Sequence, residues 1–210
     1  MIMRVIDSIP LPGSTLRRNS ISDIEYDAWE FADLVVLSES VSPSKRLRAF
    51  YSLGYYLGQV LNGGHSQLTY NMDIGERRSG FLIDSFIYGT EMIGAPKFGR
   101  IAEKYQAWIK EHKNEAGMQT GFEGGRDEYL DHLDELFIKT DEEYSEELQG
   151  RLKKTEIEEE KAILSKIMQE ERLHNIHAIV NFWLLRSDML IEVPDPSFKE
   201  TAQAMLSPLN

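Results

Sequence analysis

Ten carboxylates crowd one short stretch of this 210-residue chain: Asp127, Glu128, Asp131, Asp134, Glu135, Asp141, Glu142, Glu143, Glu146 and Glu147. With Glu123 they make eleven acids between residues 123 and 147, against Arg126 and Lys139, so this stretch holds −9 of the chain's net −12. Like-charged groups at such density do electrostatic chemistry: they attract a basic surface and steer its approach. They are too plentiful for any pair to be singled out as general acid and base. The ten are therefore the candidate partner-binding residues.

Other chemistry finds little support. The histidines are His65, His112, His132, His174 and His177. Glu171-x-x-His174 has the spacing used by di-iron bundles, but no second Glu-x-x-His accompanies it. His174 and His177 share a helix face. Glu171, His174 and His177 are thus the side chains with ligand spacing, and no metal site or other cofactor is expected. There is no cysteine, which excludes disulfides, thiolate metal sites and a cysteine nucleophile. No G-x-S-x-G, H-E-x-x-H or G-x-G-x-x-G motif occurs. The chain reads as non-enzymatic, with no catalytic residue.

The elements that carry these residues read as helices. Ser22-Asp23-Ile24-Glu25 has the capping-box pattern. Ser42-Pro43 looks like an N-cap followed by proline at the first helical position. Asn62-Gly63-Gly64 stops that second helix, and a short turn or helix follows over His65–Met72. Two further helices cover about Phe81–Ile93 and Phe98–His112, separated by Gly94-Ala95-Pro96. Asn114–Gly125 is expected as a loop. Asp127–Lys139 is an amphipathic helix with Leu130, Leu133, Leu136 and Phe137 on its inner side and the acids within an arc of about 120° opposite. Thr140-Asp141-Glu142-Glu143 and Thr155-Glu156-Ile157-Glu158 read as capping boxes opening two more helices, the second broken near His174–Asn175. The organisation expected is all-α: an N-terminal extension over residues 1–20, one compact multi-helix domain with short connections over 21–193, and a tail over 194–210.

The acid excess argues against direct binding of nucleic acid, which rests on neutralising phosphates. No segment has the apolar length of a membrane span, and the start lacks a signal peptide. A cytoplasmic location is expected.

The run Asn62-Gly63-Gly64-His65-Ser66-Gln67-Leu68-Thr69-Tyr70-Asn71 resembles the N-G-G-F-x-Q-aromatic-aromatic-x-N signature of a family of bacterial helical domains. The best-known member of that family is an acidic DNA-mimic protein. Ile93-Gly94-Ala95 and the helix around Lys97–Trp108 resemble the segment downstream of the signature. The resemblance covers about residues 45–140. His65 stands where an aromatic is usual, and Leu68-Thr69 replaces an aromatic pair. The resemblance implies an all-α fold, a homodimer, and binding to a DNA-binding protein in place of DNA. Read from the residues themselves, the segment is structural: the glycines permit a tight turn, and Asn62, Gln67 and Asn71 can bond the open groups of helix ends.

The function expected is a DNA mimic that occupies the basic DNA-binding face of a partner protein, in all expectation a regulator. Two alternatives are an immunity-type inhibitor of a basic toxin or nuclease, and a metal-binding helical-bundle enzyme.

Overall fold

A computed structural model describes residues 3–17, 20–72, 79–120, 127–170 and 174–207. Among these the elements are, in order, β1 (Arg4–Ile6), β2 (Ile9–Pro12), α1 (Gly13–Leu16), α2 (Ile21–Leu37), β3 (Val41–Pro43), α3 (Lys45–Asn71), α4 (Ser79–Met92), α5 (Pro96–Glu111), α6 (Lys113–Ala116), α7 (Glu128–Lys154), α8 (Glu158–Gln169), α9 (Asn175–Arg186), β4 (Leu190–Val193) and α10 (Phe198–Leu206). The fold class is all-α, as expected. None of the helices among the described residues is long and apolar enough to cross a membrane. The chain divides into two compact units, Met1–Tyr51 with Glu146–Asn210, and Ser52–Ser145.

In the first unit, the segment expected as an extension instead carries β1 and β2. β1 runs parallel to β3, from Arg4↔Val41 to Ile6↔Pro43. β2 runs parallel to β4, from Ile9↔Leu190 to Pro12↔Val193. Each sheet has two strands, so each strand keeps an open edge, where Pro10 and Pro12 are tolerated despite lacking an N–H. Ile6, Ile9 and Leu11 bury their side chains, which ties the segment to the core.

Helix starts in this unit are shifted from the capping patterns. α2 opens at Ser20, whose hydroxyl accepts from the Asp23 amide at 3.2 Å. Ser22 lies one residue inside the helix and bonds Glu170. Glu25 turns inward, where its carboxylate meets His177 Nδ1 at 2.8 Å and accepts from Asn181 Nδ2. Ser42-Pro43 belongs to β3; Ser44 caps α3 by accepting from the Leu47 amide at 3.0 Å. Thr155 lies before α8, donating to Glu160 and accepting from the Ile157 amide. The break before α9 falls where expected. Trp29 stacks on Tyr51 at 5.6 Å, and its indole N–H donates to the Tyr51 carbonyl.

In the second unit, α3 is bent by two non-helical residues, Gly63 and Gly64. Gly64 has φ 76° and ψ −174°, a conformation essentially reserved to glycine. The other positive-φ glycine among the described residues, Gly94, ends α4. There the Ala95 amide donates to the Thr90 carbonyl and the Gly94 amide to that of Glu91, the paired bonds of a Schellman cap. Pro96 then opens α5, which returns against α4. Tyr56, Phe86, Phe98, Tyr105 and Phe137 form the aromatic core, with Tyr56 stacked on Phe86 at 3.8 Å.

The two acidic helices are one. α7 runs from Glu128 to Lys154 without a stop at Thr140, so Thr140-x-x-Glu143 is helix interior. The sequence there holds no glycine or proline to end the helix, and Phe137, Tyr144 and Leu148 keep one buried stripe in phase. Of the loop expected over Asn114–Gly125, residues 114–116 belong to the short helix α6, and residues 121–125 lie outside the described residues.

Candidate partner-binding surface

Continuity of α7 sets which acids face outward. On one helical wheel Glu128, Asp131, Glu135, Glu142 and Glu146 fall within an arc of about 60°. All five are exposed. They span 18 residues, or about 27 Å at 1.5 Å per residue. Glu143 and Glu147 lie beside this row and are also exposed. Glu143 accepts from Lys97 Nζ at 2.8 Å, and Glu147 pairs with Arg151 one turn on, also at 2.8 Å. Lys97 holds the Glu143 carboxyl below the ordinary carboxylate range, by its hydrogen bond first and its charge second.

Three of the ten acids sit differently. Asp127 is half-buried and caps the start of α7, accepting from the Tyr129 amide at 2.9 Å. Asp141 is buried. Read as the first turn of a new helix it pointed outward; the continuous helix carries it to the Leu130–Leu148 side. Asp134 lies at the edge of the acidic arc next to that same side, and its carboxylate is only 16% exposed.

Asp134 turns toward the glycine bend. Its Oδ1 accepts from the His65 amide at 2.8 Å and meets His65 Nδ1 at 2.5 Å. A carboxylate only accepts, so Nδ1 carries the proton, and in a neutral ring Nε2 accepts from Tyr56 Oη at 2.8 Å. Thr69 donates to the His65 carbonyl at 2.6 Å and pairs with Tyr105 Oη at 2.9 Å. Ser66 bonds Gln119. Burial pushes the hydroxyls of both Tyr56 and Tyr105 well above the ordinary tyrosine value, so both stay protonated. His65 has no exposed surface. A substrate therefore does not reach its imidazole, and the Tyr56–His65–Asp134 chain holds the bend against α7.

The glycine signature is placed as a bend, and two of its side-chain amides bond a neighbouring side chain. Gln67 Nε2 and Asn71 Nδ2 both donate to the Gln59 side chain, at 3.3 and 2.6 Å. Tyr55 donates to the Asn71 carbonyl. Asn62 is exposed. A Cβ on Gly63 would lie 2.0 Å from Gln67 Oε1, so Gln67 closes over that glycine.

Of the three side chains with ligand spacing, two lie among the described residues. His177 bonds Glu25 in the core of the first unit, His174 is exposed just before α9, and Glu171 lies outside the described residues. Among the described residues no cluster of three His, Asp or Glu side chains is placed to hold a metal ion. The partners His65 for Asp134, Lys97 for Glu143 and Glu25 for His177 were not foreseen. A histidine at a position usually aromatic was the one signal that pointed to the first.

Taken together, the chain is an acidic helical protein with one exposed carboxylate row. Its residues 43–160 match the model of the DMP19-like protein family. That is more than half of the chain, and the chain belongs to this family. No curated protein and no solved structure matches it.

Proposed function

We propose that the chain is a non-enzymatic DNA mimic whose α7 row occupies the basic DNA-binding face of a partner protein. The observation that carries the proposal is the run of five exposed carboxylates in one narrow stripe about 27 Å long. A solvated helix face ordinarily mixes signs to gain i,i+4 pairs; here five carboxylates stand against one neighbouring base, Lys139, and the remaining negative charge is relieved by a cationic partner. Family membership supports the reading, since the family is one of DNA mimics. The row follows one strand of phosphates at reduced density, a strand carrying a charge about every 3.4 Å. A two-fold dimer would double it.

Exposed Ile138 interrupts the row, 59% accessible. Its helix neighbours three and four residues away are Asp134, Glu135, Asp141 and Glu142. An exposed apolar side chain between the exposed acids Glu135 and Glu142 suits a protein surface, which can offer it a desolvated pocket.

The test takes a DNA-binding protein captured from host lysate and measures its DNA complex as the chain is added. The wild-type chain displaces DNA, less so as salt rises. The variant Glu128→Gln/Asp131→Asn/Glu135→Gln/Glu142→Gln/Glu146→Gln does not. Equal displacement by both proteins, or capture of an enzyme whose activity is blocked without any DNA competition, would refute the proposal; the latter result is that of an immunity-type inhibitor.

A further inference from the structure

A cleft of about 580 Å³ opens in the second unit between the end of α5 and the start of α7. Its size lies in the range of about 300–1,000 Å³ typical of small-ligand sites. Trp108, His112 and Tyr129 line it together with the carboxylates of Glu111, Asp127 and Glu128. Among the described residues Lys104 is the cation on the wall, against three carboxylates. Trp108 and His112 stack at 5.7 Å with their planes 23° apart, so the buried indole backs the exposed imidazole ring. Trp108 is anchored at 5% exposure, while Tyr129 stands 41% exposed at the other side.

We infer that this cleft is a binding site for the guanidinium of an arginine side chain presented by the partner. Three independent features select that chemistry. Aromatic faces attract a cation, and the planar guanidinium stacks on them while its fork reaches carboxylates. The last turn of α5 holds Trp108 and Glu111, and the carbonyl ends of a helix favour positive charge. The opposing start of α7 is already capped by Asp127, so its amide does not call for an anion. A lysine ammonium, a compact and strongly hydrated charge, matches the carboxylates but not the flat wall. An anionic or apolar occupant would leave the three carboxylates unmatched.

The inference rests on the reading that the partner is basic, and it adds an anchor at the start of the row, where Glu128 belongs to both. Its test uses the intact protein, a capped Gly-Arg-Gly tripeptide and its lysine counterpart, with the Trp108 indole N–H resonance as readout. The arginine peptide is expected to shift that resonance saturably and the lysine peptide to bind less tightly. Tyr129→Ala and Glu111→Gln are each expected to weaken arginine binding about tenfold. Glu135→Gln/Glu142→Gln, in the row but outside the cleft, leaves it unchanged. No saturable shift, equal affinity for lysine, or indifference to Tyr129→Ala and Glu111→Gln would overturn the inference. So would loss of binding in the row variant, which would mark general attraction to α7. A silent cleft alongside intact DNA displacement would remove this anchor and leave the mimic standing.

Discussion

Asp134 separates two roles that the sequence treats alike. Asp134→Ala removes the acceptor of two buried donors, the His65 amide at 2.8 Å and Nδ1–H at 2.5 Å. A buried donor left without a partner costs about 1–3 kcal/mol. Two such donors cost about 2–6 kcal/mol, less whatever water recovers at the partly open carboxylate position. A loss of about 3 kcal/mol, at a urea dependence of about 2–3 kcal/mol per M, lowers the unfolding midpoint by about 1–1.5 M. Glu135→Ala, one residue on and 82% exposed at its side chain, shifts it little; exposed positions of this kind stay within about 0.5 kcal/mol. Urea unfolding followed by circular dichroism measures both. Partner binding, measured where both variants are folded, should reverse the order, with Glu135→Ala the weaker binder. An Asp134→Ala midpoint indistinguishable from that of Glu135→Ala would refute the structural role, and loss of binding without loss of stability would return Asp134 to the partner surface.

Gly64→Ala should destabilise the protein by about 1–3 kcal/mol, because φ 76°, ψ −174° is closed to a Cβ; the urea midpoint checks this against Gly58→Ala, where a Cβ would meet nothing within 4 Å. Arg46 bonds Asp7 and Asp188, at 2.6 and 2.5 Å, and its hydrogen bond holds the Asp7 carboxyl below the ordinary aspartate value. The stabilisation is therefore complete above the unfolded aspartate pKa near 4 and fades as pH falls through the lowered value. Arg46→Gln should cost about 1 kcal/mol at pH 7, given the partial exposure of the pair, with the difference from wild type shrinking in acid melts below about pH 4. Ile138→Ser should leave the melting temperature unchanged and weaken partner capture severalfold, as read by titration calorimetry.

The sequence made the interruptions of helices legible better than their beginnings. Gly64, Gly94 and the break before Asn175 were readable because positive φ and lost periodicity leave local marks. Starts were ambiguous because hydroxyls recur: Ser20 and Ser22, then Ser42 and Ser44, each offer a cap two residues apart, and only tertiary contacts choose. The strands escaped notice because three or four residues are too few to show alternation. The acidic row was legible as composition, but its membership depended on phase. A false start at Thr140 turned Asp141 outward, and Asp134 lay at the margin of its arc, where packing decides. The aromatic–carboxylate cleft was not legible at all, since Trp108 and Tyr129 stand about twenty residues apart and meet only on folding.

The pairing of β2 with β4 brings Ile9 beside Leu190, so this strand waits for a partner synthesised about 180 residues later. β1 waits only for β3, 37 residues on, whereas Glu25 on α2 meets His177 on α9 only after about 150 residues more. The Ser52–Ser145 unit is contiguous and can form during synthesis, whereas the unit built from both flanking segments closes late. A fragment cut to residues 43–160, the span shared with the family, would contain the carboxylate row and the glycine bend. It would lack β1, β2, β4 and α9.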